Sequence, residues 1–162
     1  MSALRNATLL FLIKKYNGEI TDICLAMKKR GFGMGRWNGV GGKVNDNESI
    51  EEAAQREAKE EISVSVKELH KVAELAFTFP HNAAWDQMVH VYFVEKWDGD
   101  PQESEEMNPQ WFSPKELPLG EMWPDDIFWL PEVIRGNILK AQFTFGQNDR
   151  ILKKEITIID TF

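Results

Sequence analysis

Short apolar runs, separated by polar and glycine-containing segments, make up most of the chain. Their length and the turn residues between them are typical of β-strands. A further short element is expected to begin at Trp111-Phe112, just before Ser113-Pro114. The predicted strands are residues 7–13, 23–28, 69–79, 88–97, 142–145 and 151–159, and the last two are expected to form a hairpin.

Two segments show helical rather than strand-like spacing. Between residues 48 and 61, small apolar side chains recur three or four positions apart and would form one narrow face against a sheet. Asn47 precedes this segment and is expected to cap its first turn. A second helix is predicted over residues 125–134, after Trp123-Pro124. The apolar face of the first helix consists of Ile50, Ala53, Ala54 and Ala58.

The predicted strands outnumber the predicted helices, and the helices are interspersed among them along the chain. This order predicts an α+β fold in which a mixed β-sheet is covered by one helix on each side. A chain of 162 residues is large enough for a substantial core and short enough for one domain. Residues 1–162 are therefore expected to fold as a single unit.

The composition narrows the classes of function. The formal net charge of −7 argues against a general nucleic-acid-binding protein, which would carry a basic stripe. Cys24 is the only cysteine, so no internal disulfide is possible, and no apolar run is long enough to span a bilayer. A reducing, cytoplasmic setting without a membrane partner is expected. Nothing in the chain demands more than a monomer.

Charge is distributed unevenly along the chain. Residues 28–44 include five basic side chains and no acid, whereas residues 45–61 include seven acids. On a helix, Glu57, Glu60 and Glu61 would share one face, and like charges at that spacing cost about 0.2–0.5 kcal/mol per pair. A hard divalent cation such as Mg²⁺ would offset this repulsion and would also bind substrate phosphates. The alternative is a solvated acidic helix face.

The same acidic segment carries a family resemblance. Gly42, Glu48 and the run Arg56-Glu57-Ala58-Lys59-Glu60-Glu61 have the spacing of the Nudix signature, and the chain resembles the Nudix hydrolases. The resemblance implies an α/β/α sandwich and cleavage of a nucleoside diphosphate linked to another group, with Mg²⁺ as cofactor and Mn²⁺ able to replace it. Two positions depart from the signature, since Ala58 replaces a larger aliphatic residue and Ser63 replaces glycine. A serine held in the left-handed conformation would cost about 1–2 kcal/mol.

The resemblance also implies roles for single residues. Glu57, Glu60 and Glu61 would be catalytic metal ligands, one of them also acting as the base. Gly42 would add a backbone oxygen to the metal shell. Arg56 would orient a carboxylate through a two-pronged hydrogen bond, the alternative being an exposed ion pair of little effect.

Two further acids are considered for the metal site. Glu48 is expected to be structural rather than catalytic. Glu106, in the acidic segment 103–107, is expected to complete the metal site, because Nudix enzymes often take a ligand from such a loop. Glu105 is the next choice, and a solvated charge run would give the same pattern.

Other segments are similar to the mammalian MutT-type members of the family, which hydrolyse oxidised purine nucleoside triphosphates. These segments are residues 28–33, 35–39 and 122–126, whereas the loop 81–87 differs most from those relatives. A purine needs aromatic faces for stacking and polar groups along its edge. The expected base-binding residues are Thr8, Lys28, Phe32, Asn38, Phe77, Trp123, Asp125 and Asp126.

Asp125 and Asp126 are adjacent carboxyl groups in an aromatic-rich segment. Two close acids resist double ionisation, so one of them would stay protonated and donate a hydrogen bond. A pair that exchanges one proton could bind both 8-oxoguanine and 2-hydroxyadenine. The alternatives are that one of the two caps the following helix, and that Trp123 is only a core aromatic.

The predicted function is Mg²⁺-dependent hydrolysis of 8-oxo-dGTP, and of related oxidised purine triphosphates, to the monophosphate and pyrophosphate. This reaction would remove damaged nucleotides from the pool. Two alternatives are another Nudix specificity, such as undamaged dNTPs or nucleotide sugars, and a non-catalytic nucleotide-binding module.

Overall fold

The computed structural model describes residues 4–162, so residues 1–3 of the predicted domain lie outside the described part. Within that part no helix is both long and apolar enough to cross a bilayer. The elements are β1 (Arg5–Tyr16), β2 (Glu19–Lys28), β3 (Trp37–Asn38), α1 (Ile50–Ile62), β4 (Ser65–Val66), β5 (His70–Thr78), β6 (Gln87–Val94), β7 (Trp97–Asp98), β8 (Met107–Phe112), α2 (Asp126–Ile134), β9 (Ile138–Phe145) and β10 (Ile151–Ile159).

The main sheet is mixed, as predicted. Its strand order is β10-β9-β5-β6-β1-β2-β3, and β8 also pairs with β2. Two pairings are parallel, β1 with β6 and β5 with β9, and the other pairings are antiparallel. Strands β4 and β7 form a separate two-stranded sheet.

Alternation along β1 divides the core into two layers. Phe11 and Ile13 face the layer that contains Trp129 of α2, whereas Leu10 and Leu12 face the layer that contains α1. The small side chains of α1 let this helix approach the sheet closely, and Ala54 and Ala58 are fully buried. The predicted α/β/α sandwich is therefore confirmed.

The segment between β3 and α1 runs along β1 and brings the start of α1 beside it. The main-chain N–H of Thr8 donates to the Gly42 carbonyl at 2.9 Å, and that of Leu10 donates to the Val40 carbonyl at 2.7 Å. A Cβ atom on Gly41 would lie 1.8 Å from the Thr8 carbonyl oxygen, so only glycine fits there. This pairing places the predicted metal-binding helix next to the predicted base-binding strand.

Four local predictions need correction. Helix α1 is capped by Ser49 and not by Asn47, because Ser49 and Glu52 form a reciprocal capping box that satisfies two backbone N–H groups. The helix therefore begins at Ile50, two residues later than predicted. Trp111 and Phe112 end β8 rather than beginning an element, because the strand pairs with β2 from Met107 onward. The second helix begins at Asp126, one residue later than predicted.

Ser63 adopts the left-handed conformation that the signature reserves for glycine. Its φ and ψ are 65° and 27°, and its N–H donates to the Lys59 carbonyl at 3.1 Å. The next N–H, of Val64, reaches the Ala58 carbonyl at 3.4 Å, so the last turn of the helix is closed. The chain keeps the backbone geometry of the signature at a cost of about 1–2 kcal/mol.

Candidate active site

Two cavities lie next to each other, because Gly42, which lines the first, lies against the carboxylate of Glu57, which lines the second. The first, here called the aromatic cavity, has a volume of about 310 Å³. The second, here called the acidic cleft, has a volume of about 380 Å³ and is lined by Arg30, Glu57, Glu60, Glu61, Ser104, Glu105 and Glu106. All eight predicted base-binding residues line the aromatic cavity, namely Thr8, Lys28, Phe32, Asn38, Phe77, Trp123, Asp125 and Asp126.

Arg56 is the hub of the acidic residues on α1. Its guanidinium makes the predicted two-pronged hydrogen bond, and the partner is Glu48, with Nε–Oε2 at 3.0 Å and Nη2–Oε1 at 2.7 Å. Its third nitrogen, Nη1, donates to Glu57 at 2.8 Å and to Glu60 at 3.2 Å. The hydrogen bonds that Glu48 accepts from Arg56, and then from the backbone N–H of Asn45, lower the pKa of Glu48 to about 2. The structural role expected for Glu48 is consistent with these contacts.

Glu61 differs from its neighbours because it is buried. Its side chain is 4% exposed, and its Oε2 atom has no hydrogen-bond partner among the described residues. Burial, and then the nearby Glu57 carboxylate, raise the pKa of Glu61 well above its usual range. Lys28 and the N–H of Gly41 act in the opposite direction. A buried carboxylate with an unsatisfied oxygen is a group that an additional cation would stabilise.

The donor atoms of the acidic cleft fit a hard divalent cation. They are carboxylate oxygens, which Mg²⁺ and Mn²⁺ prefer, and one of them is the unpartnered Glu61 oxygen. In residues 4–162 no three acidic, cysteine or histidine side chains already converge with the spacing of a metal site. Glu57 and Glu60 instead lie against the guanidinium of Arg56, at 2.8 Å and 3.2 Å.

Gly42 has a more limited relation to the acidic cleft. Its carbonyl accepts the hydrogen bond from Thr8, so one lone pair is engaged, and its role as a metal ligand stays a prediction. A Cβ atom at this position would lie 2.7 Å from Oε1 of Glu57. Glycine is therefore required for the Glu57 carboxylate to lie against the backbone of this segment.

The predicted loop acid reaches the cleft. Glu106 lies just before β8, and its carbonyl accepts a hydrogen bond from the Lys29 N–H at 2.8 Å. Its carboxylate lies 3.7 Å from Lys28 Nζ and 3.5 Å from Arg30 Nη2. Glu105 lies 3.4 Å from Arg30 Nη1. Both acids line the cleft opposite α1, so the structure brings together all four glutamates predicted as ligands.

Aromatic rings form the walls of the aromatic cavity. The rings of Phe32 and Trp123 are 5.0 Å apart with a tilt of 32°, and Trp85 lies 5.2 Å from Phe32. Phe79 stacks on Phe145 at 5.2 Å. The loop 81–87 thus contributes an aromatic side chain beside the cavity. Trp123 lies on the cavity wall and belongs to neither core layer. The alternative that Trp123 is only a core aromatic is therefore not supported.

Asn38 lies on β3 at the cavity wall. Its Oδ1 atom accepts a hydrogen bond from the Gly39 N–H at 2.9 Å, which fixes the plane of the amide. A fixed amide is suited to reading a base edge, because its donor and acceptor positions are set before the ligand arrives.

Asp125 and Asp126 form a buried carboxyl pair, and each is 2% exposed. The indole N–H of Trp129 donates to Asp125 Oδ2 at 2.7 Å, whereas Asp126 Oδ2 has no hydrogen-bond partner among the described residues. Burial raises the pKa of Asp125 to about 6. Burial and the neighbouring Asp125 raise the pKa of Asp126 well above its usual range.

The pair does not act as a helix cap. Asp125 stands at the N-cap position of α2 but makes no side-chain capping hydrogen bond. The capping alternative is therefore not supported for Asp125, and the shared-proton prediction agrees with the burial of both groups. A pair that holds one proton offers both a donor and an acceptor to a ligand in the cavity.

Several residues of the site are missing from the sequence-based set. Arg36, Phe79, Trp129 and Phe145 line the aromatic cavity, and Arg30 lines the acidic cleft. Arg30 and Arg36 belong to the basic segment 28–44, and the concentration of positive charge in this segment could have identified them as candidate site residues. Nothing in the spacing of the aromatic residues distinguishes cavity wall from core.

Comparison with known proteins agrees with this geometry. The family model described as NUDIX domain matches residues 4–133. The chain is similar to the oxidized purine nucleoside triphosphate hydrolase of Mus musculus, with 40% identity over 162 residues, 100% of both chains. It is also similar to the protein of that name from Danio rerio, with 40% identity over 138 residues, 85% of this chain and 88% of the relative.

A solved structure gives the same fold. The crystal structure of a MutT protein from Bacillus halodurans superposes with a TM-score of 0.80 and covers 94% of this chain and 97% of that one. The two sequences are 21% identical, so this likeness concerns the fold alone.

Proposed function

The chain belongs to the Nudix hydrolase family, and from this premise we propose that it hydrolyses oxidised purine nucleoside triphosphates to the monophosphate and pyrophosphate. One observation carries the proposal: the buried Asp125/Asp126 pair lies in an aromatic cavity that adjoins a cleft of glutamates. The cavity offers a place for a purine and the cleft a place for its phosphates. The names of the rodent and fish relatives support this substrate class.

The base would bind in the aromatic cavity. Trp123 supplies a stacking face, and Asn38 and the carboxyl pair supply donors and acceptors for the base edge. With one proton shared between Asp125 and Asp126, the pair can donate to one edge atom and accept from the next. Moving that proton from one carboxyl to the other would reverse the pattern, which is how one site would accept both 8-oxo-dGTP and 2-hydroxy-dATP.

The phosphate chain would lie across the acidic cleft. Glu57, Glu60, Glu61 and Glu106 would hold Mg²⁺ or Mn²⁺, which when bound neutralises phosphate oxygens and lowers the pKa of water. Arg56 keeps Glu57 and Glu60 in place, and Lys28 stands at the junction of the two cavities. The cleft carboxylates are also the groups that can take the proton of the attacking water.

The remaining predictions belong to the same proposal. We propose a single domain over residues 1–162 that acts as a monomer in the cytoplasm, with a nucleotide and no nucleic acid as its partner. The single cysteine, Cys24, supports a reducing compartment, since the chain cannot form an internal disulfide.

The test is a comparison of kcat/KM with Mg²⁺ for 8-oxo-dGTP, dGTP, 2-hydroxy-dATP and ADP-ribose. A preference for the oxidised purines of about tenfold or more is expected, which corresponds to about 1.4 kcal/mol of discrimination in the transition state. Equal rates, or rates led by ADP-ribose, would retain the hydrolase and reject the substrate. Binding without Mg²⁺-stimulated product release would instead favour a non-catalytic module.

A further inference from the structure

Arg36 connects the aromatic cavity to the turn between β9 and β10. Its guanidinium carbon lies 4.1 Å from the centre of the Trp123 ring, which is cation–π geometry. On the other side, Arg36 Nη2 lies 2.9 Å from Asp149 Oδ2. Arg36 also lines the aromatic cavity. The Nη1 atom of Arg36 is buried and has no hydrogen-bond partner among the described residues.

The turn that presents Asp149 is conformationally strained. Asn148 and Asp149 both have a φ of 58°, in the left-handed region that residues other than glycine seldom adopt. Asparagine and aspartate tolerate this region better than other residues, but two in succession still cost free energy. Such a turn persists where its surroundings hold it, and the bond from Arg36 is a contact that does so.

Arg36 lines the same cavity as the buried Asp125/Asp126 pair. The other charged groups lining the cavity are Lys28 and Lys43, and Trp129 donates to Asp125 from α2. Burial has the largest effect on the pKa of both Asp125 and Asp126 and raises it, whereas the charge of Arg36 acts in the opposite direction on both groups. Its charge is in turn balanced by Asp149.

We propose that the Arg36–Asp149 ion pair is a positioning element for base recognition, holding the ring plane of Trp123 and keeping one carboxyl of the Asp125/Asp126 pair ionised while the other is protonated. This inference rests on the proposed function, because a shared proton matters only if the pair reads a base edge. An 8-oxoguanine edge presents donors at N1 and N2 and an acceptor at O6. A site for it therefore needs one acceptor and one donor side by side.

The first test removes the charge and the stacking separately. R36Q lacks both, whereas R36K keeps a charge but loses the planar guanidinium and its fork of donors. The affinity for 8-oxo-dGMP is measured by tryptophan fluorescence without metal, from about pH 4 to about pH 9. The plot of affinity against pH should be bell-shaped, because affinity is lost when both carboxyl groups are protonated and when both are ionised.

The expected results differ between the two variants. R36Q should weaken binding at least about fivefold and shift the acid limb of the bell to higher pH by about half a unit or more, because the ionised carboxyl loses its cation. R36K should weaken binding but restore the position of the acid limb. The matched control R135Q, at an exposed arginine after α2, should change neither quantity. An unchanged acid limb in R36Q would overturn the proposal.

The second test asks whether Asp149 acts through Arg36. In a double-mutant cycle, D149N should weaken binding about threefold in the wild-type background and leave it unchanged in the R36Q background. The control D98N removes an exposed aspartate that pairs with Lys67 and should have no effect in either background. Additive losses from D149N and R36Q would mean that Asp149 does not position Arg36, and would overturn that part of the proposal.

The third test needs no nucleotide. Carboxyl carbon NMR titration of the free protein follows Asp125 and Asp126 directly in wild type and R36Q. Higher titration midpoints in folded R36Q are expected, and identical midpoints would overturn the proposal. If wild type binds dGMP as tightly as 8-oxo-dGMP, the proposed function fails while this titration still decides the effect of Arg36 on the pair.

Discussion

The acidic cleft and the aromatic cavity use the same functional group in opposite ways. In the cleft, Glu57 and Glu60 are hydrogen-bonded to the guanidinium of Arg56 and are partly open to solvent. In the cavity, Asp125 and Asp126 are buried and make no salt bridge within residues 4–162, which favours protonation. Carboxyl groups are thus suited to bind a cation as carboxylates in one region and to donate a hydrogen bond in their protonated form in the other, and the difference is set by burial and by the nearest cation.

Glu61 combines features of the acidic cleft and of the aromatic cavity. It belongs to the cleft by position but is as buried as the groups of the cavity, and its pKa is raised for the same reason. A metal ion would reverse that environment, because a divalent charge favours the carboxylate form. The acidic cleft and the aromatic cavity therefore differ in the environment of their carboxyl groups and not in residue type. Each of the following substitutions tests one of the two regions.

The largest expected effect comes from E60Q, which removes one charge from the cleft. Turnover of 8-oxo-dGTP should fall by about three orders of magnitude, because a cleft carboxylate is lost from cation binding and proton transfer. Affinity for the nucleotide should remain measurable, since the aromatic cavity is unchanged. Initial rates with saturating Mg²⁺ and binding followed by tryptophan fluorescence check the two halves of this prediction.

The matched control for this variant is E68Q, which changes an exposed glutamate outside both cavities. It should leave turnover and affinity unchanged. Near-wild-type turnover in E60Q would show that the metal assignment on α1 is wrong. A parallel loss of affinity would show that cleft and cavity are not separable.

A smaller effect, on the other side of the comparison, is expected from D125N. An amide cannot share a proton with Asp126, so kcat/KM for oxidised purine triphosphates should fall about thirtyfold or more, whereas pyrimidine triphosphates should change little. Rates on a panel of nucleotides at one Mg²⁺ concentration give the measurement. Equal losses for all bases would contradict base reading by the carboxyl pair.

The sequence predicted the cleft more completely than the cavity, and the reason is physical. Glu57, Glu60 and Glu61 share a face because of helix geometry, so three positions on one element define the arrangement. The cavity is assembled from β1, the loop after β2, β5 and the segment around α2, and no local rule brings these together. Its residues were expected from resemblance, and the structure places all eight at its wall.

The features that sequence analysis did not predict depend on which of several possible contacts a residue makes in the folded chain. Asn47 is an acceptable cap in isolation, but Ser49 with Glu52 satisfies two N–H groups and therefore sets the start of α1. Likewise Arg36 was visible as a basic residue, but its contacts with Trp123 and Asp149 require two segments that are more than eighty residues away in the chain. Such choices follow from tertiary structure and not from spacing.

D125N also gives a stability prediction that separates the two regions. The pKa of Asp125 is raised from 3.8 to about 6, so the folded protein binds a proton more tightly than the unfolded chain does. The stability that this group contributes is therefore lost as pH rises from about 4 toward 7, by roughly 3 kcal/mol at most. Relative to wild type, D125N should become progressively more stable over this interval.

Urea unfolding of wild type and D125N at about pH 4, 5.5 and 7 measures this difference. D98N, which changes an exposed aspartate paired with Lys67, should show no such trend. A constant difference between D125N and wild type at all pH values would mean that burial does not keep Asp125 protonated. Together with the loss of selectivity, the expected gain in stability would show that the cavity holds its acids at a cost to folding.

The smallest expected effect comes from S63G, at the end of the helix that carries the cleft. Ser63 has a φ of 65°, and glycine adopts this conformation without the clash that Cβ causes. The free energy of unfolding should rise by about 1 kcal/mol, less the extra backbone entropy that glycine brings to the unfolded chain.

The affinity of S63G for the base should not change, because Ser63 does not line the aromatic cavity. Turnover should not change either, since the N–H groups of residues 63 and 64 already close the helix as glycine would. Urea unfolding and initial rates check both statements, and S65G, at an exposed serine in β4, is the matched control and should destabilise. A rise in turnover with S63G would mean that strain at the end of α1 is transmitted to Glu60 and Glu61, so that the cleft depends on its helix terminus in a way that the cavity does not.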